Sequence, residues 1–170
     1  PPALVEVVLG EAYDATAEVT VGNVLNAVKV KWTEPIKESL IDASRFIING
    51  QSAKTATMVT GIEDIEDIED TVWLTFEDIP TSPEKITIMP GAVSDLTNFP
   101  NELKELKPDD KLGPRLTVST DTAITNGLLT INVTTIETII DNPTVTINGV
   151  TFGSAQPVDT NQWIIHVDGT

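Results

Sequence analysis

The sequence predicts an all-β protein built from two tandem β-sandwich domains, the second of them incomplete. Three observations predict this fold class: apolar and polar residues alternate in many segments, Gly and Pro recur at short intervals, and the triplet Ile-Asn-Gly occurs twice. Strict alternation buries one side of a strand and leaves the other side in water. Gly and Pro divide such a chain into the short strands that sandwiches use.

The alternating segments are the candidate core strands. Three of them extend over five or six residues: 28–32, 71–76 and 129–133. In the first, Val28, Val30 and Trp32 share the side expected to face the core, and two lysines lie on the other side. Trp163 is a second tryptophan expected in a core. Helix is expected at most over a turn or two of 100–106.

The two Ile-Asn-Gly triplets predict two tight hairpins. An Asn-Gly pair provides the two residues with positive φ that a type I′ turn needs. Asn49 and Asn148 lie 99 positions apart (148 minus 49), and an immunoglobulin-like sandwich takes about 100 residues. Three further segments match in the same order: 2–7 with 114–118, 28–32 with 129–133, and 72–76 with 163–167. The sequence therefore predicts one immunoglobulin-like sandwich that is encoded twice.

The matches predict two domains, 1–113 and 114–170. After 72–76, the first copy continues far enough for two or three more strands, whereas the second copy ends soon after 163–167. The second sandwich is thus expected to be truncated at its C-terminal side, with an apolar face and a sheet edge left open. Either the natural protein continues past Thr170, or another chain adds the missing strands. The opening Pro1-Pro2 also suggests a piece of a longer protein.

Composition limits the partners. The 170 residues include 26 acidic and 10 basic side chains, for a net charge of −16. Such a charge repels phosphate backbones and anionic lipids, so no nucleic acid partner and no membrane insertion are expected. The absence of cysteine excludes disulfides and thiolate metal sites. The expected partners are other copies of the chain or neighbouring domains of a longer chain.

No enzymatic activity is expected. The one histidine, His166, lies on the polar side of its strand. The sequence contains no Gly-x-Ser-x-Gly elbow and no phosphate-binding glycine loop. Carboxylates are abundant, but aromatic residues make up only 5% of the chain, which is too few for the sugar-binding cleft that a glycosidase carboxylate pair would need.

The stretch GNVLNAVKVKWTEPI (22–36) resembles the opening of the immunoglobulin-like repeats found in bacterial and archaeal surface-layer (S-layer) proteins and adhesins. SRFIING (44–50) and DTVWLTF (70–76) resemble the strands that follow, and PGAVSDLTN (90–98) resembles the closing loop. GLLTINVTT and NPTVTING in the second copy are also similar.

The resemblance implies a secreted, structural cell-surface protein. Its domains would act as spacer or lattice units of an extracellular surface layer, stalk or filament, stiffened by calcium. One alternative is an adhesin segment that binds a host protein or glycan. Another is an accessory domain of an extracellular hydrolase.

Calcium is the one cofactor that the resemblance implies, because calcium stiffens joints between such domains. Asp109 and Asp110 at the predicted domain junction are candidate ligands, with Glu34 or Asp95 reaching in from a loop. The alternative is that the two junction aspartates are ordinary linker acids paired with neighbouring lysines. The acidic segment GIEDIEDIED (61–70) is either a cation-binding loop or a solvated connection between strands, and the absence of EF-hand spacing favours the second interpretation.

Two further residues are candidate sites. Trp73 lies between Val72 and Leu74 and is therefore expected on the outer side of its strand. There it is either a partner contact or a side chain covered by a loop of its own domain. Asn132 begins the sequon Asn-Val-Thr and is a candidate for glycosylation.

Overall fold

The computed structural model describes residues 1–59, 69–121, 128–135, 137 and 139–168, and only the backbone of residues 128, 152 and 168. By its contacts the chain divides into two compact units, Pro1–Leu112 (unit 1) and Gly113–Thr170 (unit 2). That each unit folds as a separate domain stays a prediction. In the described residues, no helix is long and apolar enough to span a membrane.

The described part of the chain is all-β, as the sequence predicts, apart from two short 3₁₀ turns at Glu38–Leu40 and Ala43–Arg45. The strands of unit 1 are, in chain order, β1 (Leu4–Leu9), β2 (Ala12–Asp14), β3 (Val19–Val21), β4 (Ala27–Trp32), β5 (Phe46–Ile48), β6 (Gln51–Ser52), β7 (Thr55–Thr57), β8 (Thr71–Thr75), β9 (Ile86–Ile88), β10 (Lys104–Leu106) and β11 (Asp109–Asp110). Those of unit 2 are β12 (Leu116–Thr120), β13 (Leu128–Thr135), β14 (Thr144–Ile147), β15 (Val150–Ser154), β16 (Gln156–Asp159) and β17 (Gln162–Asp168).

Unit 1 contains two larger sheets that share one core. Their strand orders are β11-β1-β4-β8-β7 and β10-β9-β5-β6, and β2 and β3 form a separate hairpin. One buried hydrophobic cluster contains Val30, Trp32 and Leu74 from the first sheet together with Phe46 and Ile88 from the second. The inner sides of both sheets are therefore buried against each other, which is consistent with a β-sandwich.

The strands that open and close unit 1 are neighbours. β11 pairs with β1 in parallel, with Val8 opposite Asp109 and Leu9 opposite Asp110. Beyond β11, the Lys111 N–H donates to the Leu9 carbonyl at 2.9 Å. Gly10 then has φ +88°, and a Cβ at this position would lie 2.8 Å from Leu112 Cδ2. Glycine therefore permits the end of unit 1 to pack closely on the end of β1.

Unit 2 contains one four-stranded sheet, β12-β13-β17-β16, and the hairpin β14-β15. Its core includes Ile131 and Val133 from β13 and Trp163 and Ile165 from β17. In its order within the sheet, β12-β13-β17-β16 corresponds strand for strand to β1-β4-β8-β7 of unit 1. The same four-strand arrangement thus occurs in both units.

Both Asn-Gly pairs form the turns that the sequence predicts. The φ angles are +49° and +79° at Asn49 and Gly50, and +48° and +80° at Asn148 and Gly149. The first pair joins β5 to β6 and the second joins β14 to β15. Positive φ at both central residues is the type I′ geometry, which confirms the hairpin prediction.

Two details differ from the sequence analysis. The segment 100–106 contains no helical turn but includes the strand β10, because Lys104–Leu106 pairs with β9. The alignment of 28–32 with 129–133 also differs from the alignment that the strand pairing gives. Val30 lies opposite Val72, and Val133 lies opposite Trp163. If 72–76 matches 163–167, Val72 corresponds to Trp163, and their strand partners Val30 and Val133 correspond as well. The sequence comparison instead aligned Val30 with the residue two positions before Val133.

We expect Ile86→Ala to lower the free energy of unfolding by about 2–5 kcal/mol, because Ile86 in β9 is fully buried and its truncation leaves a cavity. Ile140→Ala is the matched control. Ile140 is 99% exposed, so this change should stay within about 0.5 kcal/mol of the wild type. Chemical denaturation of both variants measures the difference, and equal effects would contradict the assigned core.

Candidate functional site

An open apolar groove lies in unit 2, with a volume of about 380 Å³. It lies between the inner side of β12 and β13 and the hairpin strand β14. The lining residues are Leu116, Val118, Thr120, Leu129, Ile131, Val133, Pro143, Thr144, Val145, Thr146 and Ile147. None of these side chains is charged, so the groove is suited to apolar contact and offers no acid, base or nucleophile beyond threonine hydroxyls.

The groove exists because β12 is an edge strand with little cover. Leu116 is 47% exposed and Val118 is 61% exposed, although both line the same groove as the buried floor residues Ile131 and Val133. β12 pairs with β13 on one side and, among the described strands, has no partner on the other. That this groove and free edge arise from a truncated second copy stays a prediction.

Trp73 lies on the outer side of the first sheet of unit 1, as predicted, but its side chain is only 8% exposed. Tyr13 of the β2–β3 hairpin covers it, with ring centroids 5.9 Å apart and planes tilted by 41°. This is the second of the two alternatives, in which the chain covers its own tryptophan. A partner could contact Trp73 only if the hairpin moved away.

An ion cluster that the sequence analysis did not predict lies on the same outer side. Lys29 Nζ is 2.8 Å from Glu6 Oε1 and 2.8 Å from Glu11 Oε2. Partial burial alone would lower the pKa of Lys29, but hydrogen bonds and charge attraction from Glu11 and Glu6 outweigh it and raise the pKa above 10.5. Because Lys29 bridges β1 and the start of the β2–β3 hairpin, the cluster helps to hold the hairpin on the sheet.

Asp95 is buried in the closing loop, where it organises the backbone. Its Oδ1 accepts hydrogen bonds from Thr97 N–H at 2.8 Å, Thr97 Oγ1 at 2.7 Å and Phe99 N–H at 2.9 Å. Burial, the largest single effect, raises the pKa of Asp95, but the donors of Phe99 and Thr97 together lower it below 3.8. Glu34 is close by, since Glu34 Oε1 and Asp95 Oδ2 both lie 3.6 Å from the Pro1 nitrogen.

Asp109 and Asp110 do not join Glu34 and Asp95. Both belong to β11, which pairs with the C-terminal end of β1, whereas Pro1 precedes the N-terminal end. A six-residue strand is about 20 Å long, so the two acidic pairs lie at opposite ends of it. Within the described ranges, no group of three or more acidic or histidine side chains is placed to hold a metal ion. Calcium binding at either pair stays a prediction.

Most of the acidic segment 61–70 lies outside the described residues. At its end, Asp70 Oδ1 accepts a hydrogen bond from Thr71 Oγ1 at 2.8 Å, and Asp70 Oδ2 lies 3.7 Å from Lys31 Nζ. This carboxylate is therefore engaged by its own sheet.

Asn132 and His166 lie on the outer side of the unit 2 sheet. The Asn132 Nδ2 amide donates to Asp121 Oδ1 at 3.0 Å, and a glycan on Nδ2 would leave one N–H for this hydrogen bond. The exposed His166 has its Nδ1 atom 3.1 Å from Thr130 Oγ1. Glycosylation of Asn132 stays a prediction.

We expect Tyr13→Ala to expose the indole of Trp73, because the tilted Tyr13 ring packs against it. The Trp73 indole N–H should then exchange faster with solvent, as measured by NMR. Tyr13→Phe keeps the ring and should leave the exchange rate close to that of the wild type. An unchanged rate in Tyr13→Ala would contradict the role given to this hairpin.

We expect Asp95→Asn to remove a pH-dependent part of the stability of unit 1. Since the folded pKa of Asp95 lies below 3.8, its carboxylate stabilises the fold fully above that value, and this contribution is lost as the pH falls through the folded pKa. The stability difference between wild type and variant should therefore be constant near neutral pH and shrink in acid. Urea denaturation at several pH values measures it, and a difference that grows in acid would refute this role.

No protein-family model matches the chain, and no curated protein matches it. Among solved structures, the crystal structure of the S-layer protein rSbsC(31-844) aligns with 97% of this chain at 12% sequence identity and a TM-score of 0.43. The alignment covers 32% of that protein, so the chain spans about a third of the length of its match. This TM-score is too low to establish a common fold.

Proposed function

We propose that this chain is a load-bearing segment of a cell-surface protein, in which immunoglobulin-like sandwiches serve as spacer or lattice units. The segment resemblances described above support a surface layer, stalk or filament outside the cell. The corresponding strand orders of the two units support a tandem pair of copies. The role is structural and involves no catalysis.

The observation that carries the proposal is the parallel pairing of β1 with β11. Tension between the two ends of unit 1 pulls β1 towards its N-terminus and β11 towards its C-terminus. Since the strands are parallel neighbours, this force runs along them, and their hydrogen bonds must break together. Two antiparallel terminal strands that met at one end would instead separate one bond at a time. Unit 1 is therefore built to resist extension.

Unit 2 lacks this arrangement in its described residues. Its first and last strands, β12 and β17, are separated by β13. Tension on unit 2 therefore does not load a direct contact between its terminal strands. The two units should differ in mechanical strength, with unit 1 the stronger.

Single-molecule stretching of the full chain tests the proposal. At about 3.5 Å per residue, the extended length is about 390 Å for unit 1 and about 200 Å for unit 2. Each unfolding step should lengthen the chain by this amount minus the end-to-end distance of the folded unit. The longer step should occur at the higher force. If unit 1 unfolds at a force no higher than that of unit 2, the load-bearing role is refuted.

We expect Lys111→Pro to lower the unfolding force of unit 1, because it removes the N–H that donates to Leu9. Lys104→Pro is the matched control. It places the same residue in the edge strand β10 of the other sheet, outside the path of the force. It should lower the stability with less effect on the unfolding force. Equal loss of force in both variants would show that overall stability, and not the pairing of β1 with β11, determines the unfolding force of unit 1.

A further inference from the structure

We propose that the groove of unit 2 binds an extended polypeptide segment with branched apolar residues at alternate positions, which pairs antiparallel with the free edge of β14. This inference rests on the proposed equivalence of the two units. It does not depend on where in the organism the protein acts.

Unit 1 shows what occupies the same place. There β5 lies between β6 and β9, and β9 is antiparallel to it, with Phe46 opposite Ile88 and Ile48 opposite Ile86. All four of these side chains have no exposed surface. The strand β9 thus completes the second sheet and covers the inner side of the first.

The Asn-Gly turns fix the correspondence between β5 and β14. Counting back from Asn49 and Asn148, Val145 and Ile147 take the positions of Phe46 and Ile48. β14 pairs with β15 as β5 pairs with β6, but no described strand occupies its other edge. Val145 and Ile147 are accordingly only half-buried, whereas their counterparts in unit 1 are fully buried.

The uncharged lining of the groove restricts which side chains the bound strand can present to it. Its lining contains no charged side chain, and burial of an unpaired charge against such a surface is costly. The inward side of the bound strand must therefore be apolar. Its outward side faces water, as Thr87 does between Ile86 and Ile88, where its hydroxyl donates to Glu105 at 3.0 Å. The pattern recognised is apolar, polar, apolar, with the two apolar residues opposite Val145 and Ile147.

The geometry also explains why a strand fits better than a compact ligand. A strand added to β14 satisfies the backbone N–H and C=O groups along its free edge while its side chains enter the groove. A small apolar molecule would fill the groove but leave that edge unpaired. The exposed Leu116 and Val118 on β12 then form the far wall, where the inward side chains of the bound strand would contact them.

The test is a full chain extended after Thr170 by a flexible linker and a copy of residues 84–90, which contain the β9 pattern. Backbone hydrogen exchange at Val145–Ile147 is compared with that of the unextended chain. If the effective concentration of the tethered strand is about ten times its dissociation constant, this exchange should slow about tenfold. The control carries Ile86→Asp and Ile88→Asp within the copy only, and it should give no protection.

Several results would overturn the inference. Unchanged exchange at β14, equal protection by the Asp-containing copy, or protection confined to β12 would each show that the groove does not take this strand. Protection that appears in the unextended chain as its concentration rises would identify a second copy as the occupant instead. The same peptide added in trans to the unextended chain, followed through total tryptophan fluorescence, gives an independent measurement if the extended chain folds poorly.

This experiment and the stretching experiment fail independently. The proposed resistance to extension depends on the pairing of β1 with β11 in unit 1, whereas strand binding involves β14 of unit 2. A strong unit 1 with an unoccupied groove would leave the proposed function standing and remove only the docking inference. A weak unit 1 with a strand bound at β14 would remove the proposed function and leave the docking inference standing.

Discussion

The structure depends on one constraint: each sheet has an apolar side that must be covered by another layer. In unit 1 the constraint is met, because the side chains of β4 and β8 pack against those of β5 and β9 in one cluster. Trp32 and Phe46, which are among the largest of these side chains, are almost wholly removed from water. In unit 2 the same constraint is met only in part, since Leu116 and Val118 remain exposed beside a buried floor. The difference between the units is therefore a difference in how far one layer covers the other.

The sequence predicted the features that depend on local periodicity. Alternation located β4, β8 and β13, and the Asn-Gly pairs located two hairpins with the correct turn type. Alternation did not fix the register between the copies, because a shift of two residues keeps every side chain on the same side of its strand. Nor did it identify β10, whose extended conformation depends on pairing with a strand distant in sequence.

The candidate sites were harder to predict, because they depend on which ends of the strands meet. Asp95 and Asp109 are both acidic loop or edge residues in the sequence, but the fold places them at opposite ends of β1. Trp73 was correctly assigned to the outer side of its strand, yet nothing in its own segment indicates that Tyr13 covers it. The cluster around Lys29 likewise combines residues from two strands and a connecting loop.

The contact between β1 and β11 has a consequence for biosynthesis. The two partners are among the first and the last residues of unit 1 to leave the ribosome, so this ladder cannot form until the whole unit has been translated. Until then β1 presents an unpaired edge to the crowded surroundings of the nascent chain, and pairings this distant in sequence form slowly.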